Sequence, residues 1–323
     1  MTWMITGGAG YIGSHVVKAL VADRQPLVVL DDLSTGDAER LPAGVPLVRG
    51  SVLDRPLLDR VLREHEVRGI VHIAAKKQVG ESVERPLWYY RENVEGLRTV
   101  LEAAVDGQVD SFVFSSSAAV YGMPDVDLVT EQTPCEPMNP YGETKLAGEW
   151  LVGAVGRAHG IATASLRYFN VAGAASPELG DPGATNLVPM VFDRLGRGQA
   201  PLVFGADYPT PDGTCIRDYV HVEDIASAHV AAARRLAEDR DAHLVLNIGR
   251  GEGVSVAEMV AIIQEVSGHT GTAPEVVARR PGDPARVVAS AEAISKELGW
   301  SASHDIRGMI TSAWAGWQLR HPQ

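Results

Sequence analysis

Tyr141 and Lys145 form a Y-x-x-x-K pair, and three serines, Ser115 to Ser117, precede them. On a helix, residues four apart share one face, so the lysine ammonium can stand beside the phenol. A free phenol titrates near ~10 and is a poor base at neutral pH. A neighbouring cation favours its phenolate, and that form can take a proton from a substrate hydroxyl. A serine hydroxyl can hold the same substrate oxygen. The oxidant for such a hydroxyl is suggested at the other end of the chain, where Gly7, Gly10 and Gly13 form a G-x-x-G-x-x-G pattern. A tight turn and close approach to a pyrophosphate both exclude a Cβ, and a helix N-terminus offers free N–H groups. Asp31 follows about twenty residues on, where a carboxylate accepts from a ribose 2′-hydroxyl and repels a 2′-phosphate. Asp32 adds a second negative charge, so NAD is expected over NADP.

These residues need elements to place them. Met4 to Thr6, Leu27 to Leu30, Pro46 to Val48, Gly69 to Ile73 and Ser111 to Phe114 are short apolar runs that read as buried strands. Between them lie helical spacings at Tyr11 to Ala22, Arg55 to Glu64 and Val83 to Val105, and a further helix is expected from Asn139-Pro140. The alternation predicts a Rossmann-type, doubly wound parallel α/β sheet. Its ligands bind beyond the carboxyl ends of the strands, where Thr6-Gly7, Asp31, Ala74-Ala75 and the serines fall. After Asn170, Gly, Pro and Asp become frequent. The expected division is an NAD-binding domain over 1–170, to which the chain returns around 218–248, and a smaller lobe, mainly substrate-binding, over 171–323.

The 323 residues carry a formal charge of −12, with 45% hydrophobic and 22% charged residues. That surface disfavours nucleic acid and anionic membranes. No apolar run approaches the ~20 residues of a membrane span, and Met1 to Gly10 does not read as a signal peptide. Cys135 and Cys215 stand apart from any C-x-x-C or Cys/His cluster, so no metal is expected and a reducing cytoplasm is.

Eight stretches, TGGAGYIGSH, KQVGESVERPLWYY, SSSAAVYG, NPYGETK, LRYFNVAG, FGADYPTPDGT, IRDYVHVEDIA and RRPGD, are spread over nearly the whole chain. In these the chain resembles the extended short-chain dehydrogenase/reductase superfamily, and within it the UDP-glucose (UDP-galactose) 4-epimerases. The resemblance implies that Ser117, Tyr141 and Lys145 are catalytic, acting on the sugar 4-hydroxyl. It implies an NAD site built from Gly7, Gly10, Tyr11, Ile12, Gly13, Asp31, Asp32, Ser34, Gly36, Ser51, Val52, Ala74, Lys77, Asn93, Ser115 and Phe169, together with Tyr141 and Lys145. Besides Lys77, Ser117 and Tyr141, the UDP-sugar would meet Asn170, Asn186, Leu187, Leu202, Phe204, Arg217, Tyr219, Arg280, Asp283 and Val287. Arg217 and Arg280 suit phosphates, Asp283 suits ribose hydroxyls, and Phe204 suits uracil.

The implied reaction is oxidation at C4, turning of the 4-keto sugar, and re-reduction. A homodimer is also implied, through helices near Leu87 to Val105 and Tyr141 to His159. Two positions depart from the family. Ser51 stands where an acidic residue often contacts adenine. Val287 stands where some relatives carry a bulky tyrosine, which leaves room for an N-acetyl group; a slip of one residue would put Arg286 there. A 4,6-dehydratase would need an acidic pair after Ser117, where this chain has Ala118 and Ala119. A UDP-glucuronate 4-epimerase or decarboxylase shares the same first oxidation. A non-catalytic NAD sensor would be expected to lack Tyr141 or Lys145.

Overall fold

The computed structural model describes residues 1–183, 186–280 and 282–322. Seven parallel strands form the main sheet. Their order across it is His243–Ile248, Ala162–Tyr168, Ser111–Ser117, Val67–His72, Thr2–Thr6, Leu27–Asp31 and Leu47–Arg49. Order runs outward in both directions from the centre, so the sheet is doubly wound, as the alternation predicts. Leu27–Asp31 and Ser111–Ser117 are buried along their whole length, because helices cover both faces. One face packs Trp3, Ile5, Val113 and Leu166 against the helices Tyr11–Ala22 and Val222–Glu238; the other packs Met4, Ile70, Phe112 and Phe114 against Arg55–Glu64 and Gly96–Asp106.

One helical prediction is corrected. The stretch from Val83 to Val105 is not a single helix. It comprises Val79–Glu84, Pro86–Tyr89, a π-helical turn over Tyr90–Glu95, and Gly96–Asp106. Pro86 cannot donate a backbone bond and drives Arg85 out of the helical region, to φ −131 and ψ 54.

The second lobe has its own core around Val191, Phe192, Met259, Ile263 and Met309. Its central strand, Ile216–His221, pairs with Asn170–Ala172, Gly253–Ser255 and Arg286–Val287. From there the chain re-enters the first lobe through the helix Val222–Glu238 and the strand His243–Ile248. Leu202–Phe204 and Glu275–Val277 form a separate parallel pair. The lobes are tied together where Tyr11 donates to the carbonyl of Gly173 at 2.6 Å and Arg40 donates to those of Leu179 and Gly180.

Candidate active site

A cleft of about 530 Å³ opens at the carboxyl ends of the central strands. Gly7, Gly10, Tyr11, Ile12, Gly13, Asp31, Asp32, Ser34, Ser51, Val52, Ala74, Lys77, Tyr141 and Lys145 all line it. The glycines divide the work. A Cβ on Gly13 would lie 2.0 Å from the carbonyl oxygen of Gly7, so helix and turn can touch only without it. A Cβ on Gly10 would meet no protein atom closer than 3.4 Å and would project into the cleft. The helix Tyr11–Ala22 has no side-chain cap at Gly10, which leaves its first amides and positive dipole end to the cleft.

Asp31 accepts from the amides of Ala9 and Leu33, both at 2.9 Å. It thus braces the glycine turn as well as facing the cleft. Burial raises its pKa, partly offset by those amides. An uncapped helix end, a glycine cradle and a carboxylate at the second strand together fit NAD.

Tyr141 is the second residue of the helix Pro140–His159, which starts with Asn139 as cap and Pro140 in the first turn. Ser117 ends its strand and caps the short turn Ala118–Tyr121 by accepting from Ala119 at 3.2 Å. Burial raises the Tyr141 pKa and the nearby Ser117 works against that rise. Lys145 is buried, and its Nζ donates to the carbonyl of Ser115 at 2.8 Å, lying 5.9 Å from the Tyr141 ring. Burial lowers Lys145 to about 8, with Glu149 pulling back toward the charged form. Glu149 itself is paired with Arg167 and accepts from Ser116.

The expected electrostatics at Tyr141 need correcting. Burial raises its pKa, with Ser117 the opposing influence, because the ammonium is aimed at Ser115 and not at the phenol oxygen.

Several anticipated residues stand behind the cleft wall. Asn93 clasps the backbone of Lys76, accepting from its N–H and donating to its carbonyl, and also donates to Thr144. Gly36 packs under Asp31, and Ser115 is fully buried. Phe169 turns its ring toward Tyr121; its neighbour Tyr168 takes the wall instead. Lys76, Trp88 and Tyr168 line the cleft without having been anticipated. None of the three had a local signal; the strand register that pairs Tyr168 with Ser117 is what places it there.

The anticipated sugar-nucleotide residues gather in the second lobe, off the main cleft. Asn186 precedes the helix Leu187–Gly196 without a side-chain bond to its amides, and Tyr219 is buried in register with the exposed Asn170. Leu202 and Phe204 share a strand, and the Arg280 guanidinium lies 3.8 Å over the Phe204 ring. Arg217 stands 3.5 Å from Asp283, and Val287 pairs with Arg217 in register. Val287 also packs with Val120, Tyr121 and Phe169, so this strand abuts the turn that Ser117 caps.

Among the described residues, His221, Glu223 and His304 are close enough to share an ion. Both ring nitrogens of His221 already hold bonds, to the amide of Glu223 and to Ser312, so this group reads as a helix cap.

A dinucleotide cradle, an Asp at the second strand and a Ser–Tyr–Lys group define an NAD-dependent enzyme acting on a hydroxyl or carbonyl. The NAD dependent epimerase/dehydratase family model matches residues 3–249, and the chain belongs to that family. It is 47% identical to a UDP-glucose 4-epimerase of Azospirillum brasilense, over 96% of this chain and 90% of the relative. It is 43% identical to that of Corynebacterium glutamicum, over 98% and 95%. The solved UDP-glucose 4-epimerase of Stenotrophomonas maltophila, with bound NAD and formylated UDP-arabinopyranose, superposes with a TM-score of 0.94 at 38% identity, covering 99% of each chain.

Proposed function

We propose that this chain interconverts UDP-glucose and UDP-galactose by epimerisation at C4. The observation that carries this reading is the contact of the Arg217–Val287 strands with the turn capped by Ser117, which sets a nucleotide-binding lobe against the proton-transfer pair. Tyr141 removes the 4-hydroxyl proton while Ser117 holds the same oxygen. NAD, when bound, supplies the acceptor that takes the C4 hydrogen with its electron pair and later returns it. Lys145 keeps a positive charge beside the phenol. After the 4-keto sugar has turned over, Tyr141 returns the proton. Arg217, Arg280 and Asp283 hold the UDP end throughout, so binding energy far from C4 orients the sugar without fixing one face of it.

The small Val287 extends the reading to UDP-N-acetylhexosamines. A homodimer is part of the reading too. Leu87 and Trp150 are 86% and 67% exposed, and Leu101, Val105, Leu151 and Val155 floor a groove whose rim carries Arg55, Arg98, Glu102, Asp106 and His159. No helix among the described residues is long and apolar enough to cross a membrane, and the free Cys135 and Cys215 suit a reducing cytoplasm. The direct test is to incubate the purified protein with UDP-galactose and no added NAD. UDP-glucose should form; no conversion by protein that still holds its cofactor would overturn the reading.

A further inference from the structure

The strand that ends in Ser117 is held from behind by a histidine with no part in the chemistry above. His229, in the helix Val222–Glu238, is fully buried. Its Nδ1 lies 2.8 Å from the carbonyl oxygen of Ile225, and its Nε2 lies 2.9 Å from Ser115 Oγ. A carbonyl only accepts, so Nδ1 carries the ring hydrogen and Nε2 presents a lone pair. Ser115 must then donate its one hydroxyl hydrogen to Nε2, and Oγ keeps acceptor capacity alone. Tyr168, on the cleft wall, packs its ring against His229, with centroids 6.4 Å apart. Burial lowers His229 to about 4, so the ring stays neutral at working pH and the direction of donation does not reverse. The carbonyl of the same Ser115 receives the Lys145 ammonium.

We propose that His229 is a positioning residue for the epimerase reaction. It fixes the donor direction from Ser115 to His229 to the Ile225 carbonyl, and so holds in place the residue on whose carbonyl Lys145 is anchored. Without that anchor the Lys145 ammonium would lose its place beside the phenol, and Tyr141 would be a poorer base. This inference rests on the 4-epimerase reading.

His229→Phe keeps a ring and deletes the acceptor; His229→Gln restores an acceptor oxygen. In the holoenzyme, H229F should lower kcat by about tenfold, with the KM for UDP-galactose and the bound NAD content unchanged. H229Q should recover most of that loss. The double variant S115A/H229F should be no slower than H229F, because both changes break one chain. An H229F kcat within about twofold of the parent, no recovery in H229Q, or losses that multiply in the double variant overturn the proposal. If H229F does not fold, S115A decides, and a parental kcat there overturns it. Nitrogen NMR of histidine-labelled holoenzyme gives a readout free of turnover. A neutral ring protonated on Nδ1 is expected from about pH 5 to 8, and an Nε2–H tautomer overturns the proposal. A parent enzyme inactive on UDP-galactose would instead sink the functional reading and leave the tautomer result to decide this one.

Discussion

Lys145 donates to the carbonyl of Ser115, not to Tyr141, although both side chains rise from one face of the same helix. The ammonium lies 5.9 Å from the Tyr141 ring. Burial raises the pKa of Tyr141, with Ser117 the opposing influence.

Tyr141→Phe removes the proton carrier and little else. Turnover of UDP-galactose should fall by about 10²- to 10⁴-fold. The NAD released on denaturation, and the thermal midpoint, should match the parent. Substantial activity in this variant would take Tyr141 out of its role.

Burial lowers Lys145 to about 8, with Glu149 opposing. A depressed lysine loses its charge as pH rises, and with it the support for the phenolate. The kcat/KM for UDP-galactose should therefore decline as pH rises through about 8. Lys145→Ala should show a much lower rate and no such limb. The same limb in that variant would assign it to another group.

His15, His221 and His229 are lowered to about 4 and His72 to about 3, each mainly by burial. The folded chain keeps them neutral after the unfolded chain has protonated them. Their contribution is whole above the ordinary histidine value near ~6.5 and is lost as pH falls toward about 4, each by ~1.4 kcal/mol per pH unit. The thermal midpoint should hold above about pH 6.5 and drop as pH falls from there toward about 4. A flat profile would mean that these rings are hydrated or charged in the folded protein.

Val287 is 9% exposed and packs on the turn that Ser117 caps. Val287→Tyr should lower kcat/KM for UDP-N-acetylglucosamine by at least about tenfold relative to UDP-galactose. Overpacking should cost about 1–3 kcal/mol of stability. An unchanged ratio of the two substrates would move the gate elsewhere, with Arg286 next in line.

Trp150 and Leu87 are the apolar side chains that the proposed dimer would cover. The double variant Trp150→Asp/Leu87→Asp should run as a monomer in light scattering, where the parent runs as a dimer. A parental mass in both samples would place the interface on another face.

The fold was legible because its signals are local: continuous apolar strands, helix spacing and a carboxylate closing the second strand. Asn139-Pro140 marked the start of the helix that carries Tyr141 and Lys145, and the glycine turn marked the cleft they enter. What stayed hidden depends on side-chain direction and on distant partners. Tyr168 and Phe169 are neighbours in sequence, yet only the sheet register decides which one faces the cleft. Trp88 reaches the cleft from a short helix that leads into a π-helical turn, a geometry no periodicity announces. His229 reads from sequence as one more helical residue, since its partner Ser115 lies 114 positions away.

On the proposed reading, in which Arg217 and Arg280 take the phosphates, both arginines must first leave a partner they already hold, the Asp283 carboxylate for one and the Phe204 ring for the other. Ligand capture is then a partner swap, and its net affinity is the small difference between two sets of contacts. The swap runs as readily backwards. That reversibility suits a catalyst whose substrate and product carry the same handle and must both be let go.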